Sequence, residues 1–105
     1  MVDTYRQQGK ARVYWIGLPA PRAANRQRVG RVVNEAVEVA TQPWRGQVRV
    51  VDTSAIFTPR GYRDAMPVDG KETIVRAPDG IHLNERGSRL LAATLLQQIR
   101  QDYVF

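Results

Sequence analysis

At 105 residues the chain is long enough for one small domain and too short for two. Its 43% hydrophobic and 25% charged residues suit a folded chain rather than an extended disordered one, and no stretch approaches the ~18 apolar residues of a membrane span. The lack of cysteine excludes disulfides, thiolate metal sites and cysteine nucleophiles, while a net charge of +6, carried by fourteen arginines and two lysines, raises the question of an anionic partner.

Residues 2–9 read as the tail of a helix closed by Gly9, an opening that suggests a preceding segment. Met1 to Lys10 is polar and lacks the apolar core of a signal peptide. Val13, Tyr14, Trp15 and Ile16 form a continuous apolar run ended by Gly17 and Pro19, which fits a strand buried on both faces in a parallel sheet. From about Ala23 to Thr41, Val29, Val32, Val33, Ala36, Val37 and Ala40 recur at helical spacing, and Pro43 and Gly46 end the helix. Val48, Val50 and Val51 then form a second short strand, with Asp52 placed to cap a turn or helix through Thr53 and Ser54. Strand, helix, strand is a βαβ unit, which predicts parallel pairing.

After Phe57 the periodicity dissolves. Pro59, Gly61, Pro67, Gly70 and Pro78 punctuate what reads as a loop of about twenty residues, a length usual for functional or mobile segments. A helix from about Glu85 to Tyr103 closes the chain, with Asn84 as N-cap, Leu90, Leu91, Leu95 and Ile99 as its apolar stripe, and Glu85–Arg89 as a favourable i, i+4 pair. Two strands are too few for an open parallel sheet to stand alone, so the pattern predicts further neighbours from a larger domain or an assembly.

The chemistry concentrates in Asp79-Gly80-Ile81-His82-Leu83-Asn84, just before the last helix. Histidine is the side chain that titrates near neutral pH, and a carboxylate on one ring nitrogen fixes the tautomer and stabilises the imidazolium. Asp79 stands three residues before His82 across a glycine turn, and His82 is the one histidine in the sequence. The bland alternatives are a capping histidine and a turn carboxylate after Pro78. Tyr14 and Trp15 read as core residues. Arg22 follows the first strand, at the end where open α/β sheets bind ligands, so it could contact an anionic substrate or stand as a solvated arginine. Arg60, Arg63 and Arg76, in the long loop, could do the same. One histidine and dispersed carboxylates give no metal cluster, and no cofactor is expected. The arginines are scattered from Arg6 to Arg100, with one denser stretch at Arg22, Arg26, Arg28 and Arg31. No aromatic residue interleaves that stretch, so it reads as a solvated helix face and no nucleic acid partner is expected.

The segment from Asp79 to Ala92 resembles the last conserved block of SGNH (GDSL-type) hydrolases, where an Asp-x-x-His turn precedes the C-terminal helix. Val13-Tyr14-Trp15-Ile16-Gly17-Leu18-Pro19 resembles a late strand and Gly-Leu-Pro turn of the same fold, and Val50-Val51-Asp52-Thr53 its next strand. The details resemble an exported bacterial SGNH-like subfamily of unknown function. The resemblance spans nearly the whole chain. It implies an α/β fold of the three-layer, flavodoxin-like type, with residues 1–105 as the C-terminal portion of one SGNH-like domain: the last βαβ unit plus the closing helix. It implies ester hydrolysis through an acyl-serine intermediate, with Asp79 and His82 as two triad members and the segment from Thr58 to Pro78 bordering the site. The substrate would be an ester or an acylated small molecule or glycan, and the full-length parent would be periplasmic or secreted.

The departures matter as much. The family's Gly-Asp-Ser and Gly-x-Asn-Asp blocks have no counterpart here, and the two serines, Ser54 and Ser88, do not lie in a nucleophile turn. The expectation is a chain inactive alone, needing a missing N-terminal half or self-association. The alternative is a non-catalytic SGNH-like or basic binding module for an anionic partner.

Overall fold

The computed structural model describes Val2 and residues 11–103; the helix tail expected over residues 2–9 falls, Val2 apart, outside them. The chain is mixed α/β. Strand β1 (Val13–Ile16) leads through helix α1 (Ala24–Thr41) and a short 3-10 turn (Gln42–Trp44) to strand β2 (Val48–Val51). The two strands pair in parallel, in the register Val13↔Val48, Tyr14↔Arg49, Trp15↔Val50 and Ile16↔Val51, so the βαβ unit expected from the sequence is present.

A short helix α2 (Thr53–Phe57) follows β2 directly. Asp52 caps it, its side chain accepting from the Ala55 N–H at 3.1 Å, and the Arg63 guanidinium donates to the carbonyls of Phe57 and Ile56 at its other end. The segment after it is not the continuous loop that its prolines and glycines suggest. Strands β3 (Ala65–Val68) and β4 (Lys71–Ile74) form an antiparallel hairpin, turning on Asp69 and Gly70, which both have positive φ. Asp-Gly is the dipeptide that supplies such a turn, because both central residues must enter the left-handed region. Pro67 is tolerated opposite Glu72 because a two-stranded hairpin leaves each strand one unpaired edge.

Helix α3 (Glu85–Asp102) closes the chain. The Asn84 side chain accepts from the Gly87 N–H at 2.9 Å and Glu85 pairs with Arg89 at 2.6 Å. Phe57, Val75 and Met66 form the buried core, with Leu90 and Leu91 of α3 packed against it together with Ile56, Val68 and Leu83. The core thus lies between α2, the hairpin and α3. At the far end of α3 the nearly buried Asp102 carboxylate accepts two bonds from Arg49 and one from the Tyr14 hydroxyl, residues that face each other across β1 and β2. One carboxylate thereby ties the last helix to both parallel strands.

The burial expected of β1 is not realised. Val13, Tyr14 and Trp15 are half-buried and Ile16 is exposed, because among the described residues β1 pairs with β2 alone. On α1, Val29 is 63% exposed and Val32, Val33 and Val39 are also exposed, so much of the apolar stripe faces solvent. No described helix is long and apolar enough to cross a membrane.

Candidate functional site

The Asp79–His82 turn is held at its base by the backbone. Arg76 and Leu83 form an antiparallel bridge, the Ala77 N–H donates to the His82 carbonyl at 2.8 Å, and the Gly80 N–H donates to the Ala77 carbonyl at 3.1 Å. Gly80 has φ +70°, the left-handed backbone that brings the chain sharply round. This turn carries Asp79 back over the residues that follow it. Its Oδ1 accepts from the N–H groups of Ile81 at 2.8 Å and His82 at 3.0 Å, and its Oδ2 meets His82 Nδ1 at 2.5 Å.

Both carboxylate oxygens are therefore engaged. The histidine ring first, and then the two backbone N–H groups, hold the Asp79 carboxyl far below the usual carboxylate range, so it is an anion throughout the neutral range. An anion on Nδ1 favours the tautomer protonated there and leaves Nε2 as the basic nitrogen. The His82 side chain is 76% exposed, so the ring is open to a reacting group.

A second loop packs against the turn. Gly17 to Pro21, after β1, is pinned by the Asn34 side chain, which bonds both backbone polar groups of Leu18, by the hydroxyls of Thr53 and Ser54 on the carbonyls of Gly17 and Leu18, and by Thr58 Oγ1 accepting from the Ala20 N–H. Arg22 then reaches the turn: its N–H donates to the Gly80 carbonyl at 2.8 Å and its Nη1 to the Pro78 carbonyl at 3.2 Å. Its Nη2 lies 3.3 Å from both the Tyr62 hydroxyl and Asp64 Oδ1, and Tyr62 in turn donates to Asp64. Those contacts with Tyr62 and then Asp64 raise the guanidinium above its ordinary value, and the Tyr62 hydrogen bond, ahead of Arg22, lowers the Asp64 carboxyl.

Arg22, a candidate substrate contact or solvated side chain on sequence grounds, thus grips the turn through the carbonyls of Pro78 and Gly80, which flank Asp79. Arg63 caps α2, and Arg76, read as a loop arginine, is 2% exposed. Its Nη1 donates to the Ala20 carbonyl and its Nη2 to the Ile81 carbonyl, each at 2.9 Å, and its guanidinium lies 4.9 Å from the Tyr62 ring centre. Sequence reasoning missed Tyr62, Asp64 and the burial of Arg76, because no local spacing links them to the turn.

Leu18, Pro19, Pro21, Arg26, Val29, Gly30 and Ile81, the neighbour of His82, line an open, mostly apolar cavity of about 280 Å³. Ser54 is turned to the Leu18 carbonyl, and Ser88 lies in the first turn of α3. No three histidine or acidic side chains among the described residues are grouped so as to hold a metal.

A search of curated proteins found no match to the sequence. Residues 1–98 match the model of the family described as "Protein of unknown function (DUF459)", and the chain belongs to that family.

Proposed function

We propose that this chain supplies the acid–base half of an SGNH-type serine ester hydrolase. In this reading residues 1–105 are the C-terminal portion of one hydrolase domain, and the nucleophilic serine and oxyanion donors come from a segment outside them. Membership of the DUF459 family, together with the resemblance of residues 79–92 to the last SGNH block, supports the assignment. The observation that carries it is the Asp79 carboxylate, fixed by two backbone N–H groups and set on Nδ1 of an exposed histidine. A capping histidine needs no such partner; a general base does.

In the reaction, His82 Nε2 takes the serine proton as the hydroxyl attacks the ester carbonyl, and the imidazolium then returns it to the leaving alcohol. Water enters by the same route: its proton passes to His82 as its oxygen attacks the acyl carbon, and the imidazolium gives that proton to the serine oxygen as the acyl-serine bond breaks, releasing the acid and restoring the free serine. Asp79 holds the ring and stabilises the imidazolium in both halves. Arg22 keeps the turn against the loop after β1, and the cavity beside Ile81 offers apolar room for part of the ester. The edge of β1 that pairs with no other described strand, and the exposed valines of α1, supply a surface on which the rest of such a domain would pack. A fluorophosphonate probe tests the reading: it labels a serine in the protein extended upstream of Met1 and labels the His82→Ala variant far more slowly. Equal labelling of the two removes His82 from the reaction.

The binding-module alternative has one observation in its favour, the exposed Arg26, Arg28 and Arg31 along the first half of α1. It requires salt-sensitive binding to a polyanion that is indifferent to His82→Ala.

A further inference from the structure

We infer that Arg76 is a positioning residue of this site, a buried guanidinium fork that, beside Arg22, holds the Asp79–His82 turn against the loop after β1. The inference rests on the acid–base reading of Asp79 and His82 and adds a residue to it. Three observations carry it. Arg76 is 2% exposed, and a charge taken so far out of water is retained where it has geometry to maintain. Its two terminal nitrogens serve different segments, Nη1 the Ala20 carbonyl and Nη2 the Ile81 carbonyl, so one rigid plane spans both walls of the site. Its plane lies near the Tyr62 ring, and the same ring hydroxyl contacts Arg22, whose side chain holds the Pro78 carbonyl at the other end of the turn.

Ile81 sits between the two amides that matter most. The Ile81 and His82 N–H groups both donate to Asp79 Oδ1, and fixing the Ile81 carbonyl fixes the peptide plane it shares with the His82 N–H. Arg76 therefore orients the donors that orient the carboxylate that orients the ring. Burial lowers the guanidinium below its ordinary value, and its Nε has no hydrogen-bond partner among the described residues. Lysine cannot replace this arrangement. Its single ammonium has no plane to lay near Tyr62 and cannot reach two carbonyls at a fixed fork angle.

Nuclear magnetic resonance of the full chain tests the inference with Arg76→Lys and Arg76→Met. The readouts are the nitrogen resonances of the His82 ring, which report the Nδ1-protonated tautomer that a carboxylate partner favours even where the exposed ring exchanges its proton with water, and amide exchange at Ile81 and His82. The expected result is loss of that tautomer preference in both variants and an exchange rise of about tenfold or more confined to those two amides, with α3 unchanged. Retention of both wild-type signals in both variants would overturn the inference. So would an exchange rise spread evenly over β1, β2 and α3, which marks a general stability role. If neither variant folds, Tyr62→Leu carries the same test: a smaller local rise supports the inference and none overturns it. A wild-type chain whose His82 ring nitrogens show no preference for the Nδ1-protonated tautomer would overturn the acid–base reading itself, and the role given to Arg76 with it.

Discussion

The Arg22 N–H donates to the Gly80 carbonyl at 2.8 Å, and the Arg22 side chain occupies the space where a Cβ on Gly80 would stand, with a 2.8 Å approach to Arg22 Cβ. Backbone conformation and packing thus require glycine at the same position. Gly80→Ala must leave the left-handed region or push Arg22 away. It should lower stability by about 2 kcal/mol, read as a lower urea midpoint at unchanged slope. The Ile81 and His82 amides should lose their bonds to Asp79 in the same variant.

Gly87 sets a second close approach. Alanine inside a helix is normally favoured over glycine by about 1 kcal/mol. Here a Cβ would lie 2.2 Å from the Val75 carbonyl oxygen, a backbone atom that cannot swing aside. The clash outweighs the propensity, because α3 would have to lift off the core it shares with Val75. Gly87→Ala is expected to destabilise by about 2 kcal/mol or more, and thermal unfolding followed by circular dichroism checks the sign.

Asp102 gives the fold a pH dependence. Arg49 first and Tyr14 next hold its carboxyl below the ordinary carboxylate value. A lowered folded-state value means that the folded protein binds fewer protons than the unfolded chain through the acid range. The stability from these contacts is therefore complete above about pH 4 and lost as pH falls through the folded value. Wild type should exceed Asp102→Asn in stability at neutral pH, and the gap should close below about pH 4. A gap that persists unchanged at pH 2 would mean that ionisation of Asp102 is not its source.

Much of this arrangement is legible in the sequence because it is local. The helical spacing of Val29 to Ala40 gives α1, the cap residues Asp52 and Asn84 mark the starts of α2 and α3, and Asp79 and His82 need only a three-residue turn with a glycine inside it. The β3–β4 hairpin was readable in principle: Asp69-Gly70 is a strong hairpin signal, masked by Pro67 and by strands of only four residues. The burial of Arg76 was not readable at all. It depends on Ala20, Tyr62 and Ile81 converging from three segments, and no periodicity encodes that. The exposure of Ile16 and Val29 shows the complementary limit: an apolar run states what a strand or helix face needs, not which chain supplies it.

The proposed acid–base pair of Asp79 and His82 has a direct enzymatic consequence. It is tested most directly by p-nitrophenyl acetate hydrolysis in the protein extended upstream of Met1, compared with its His82→Ala and Asp79→Asn variants at matched folding. Turnover should fall about 10³-fold or more with His82→Ala and about 10²- to 10⁴-fold with Asp79→Asn. Hydrolysis that survives His82→Ala, or an extended, folded protein that cleaves no ester, would contradict it.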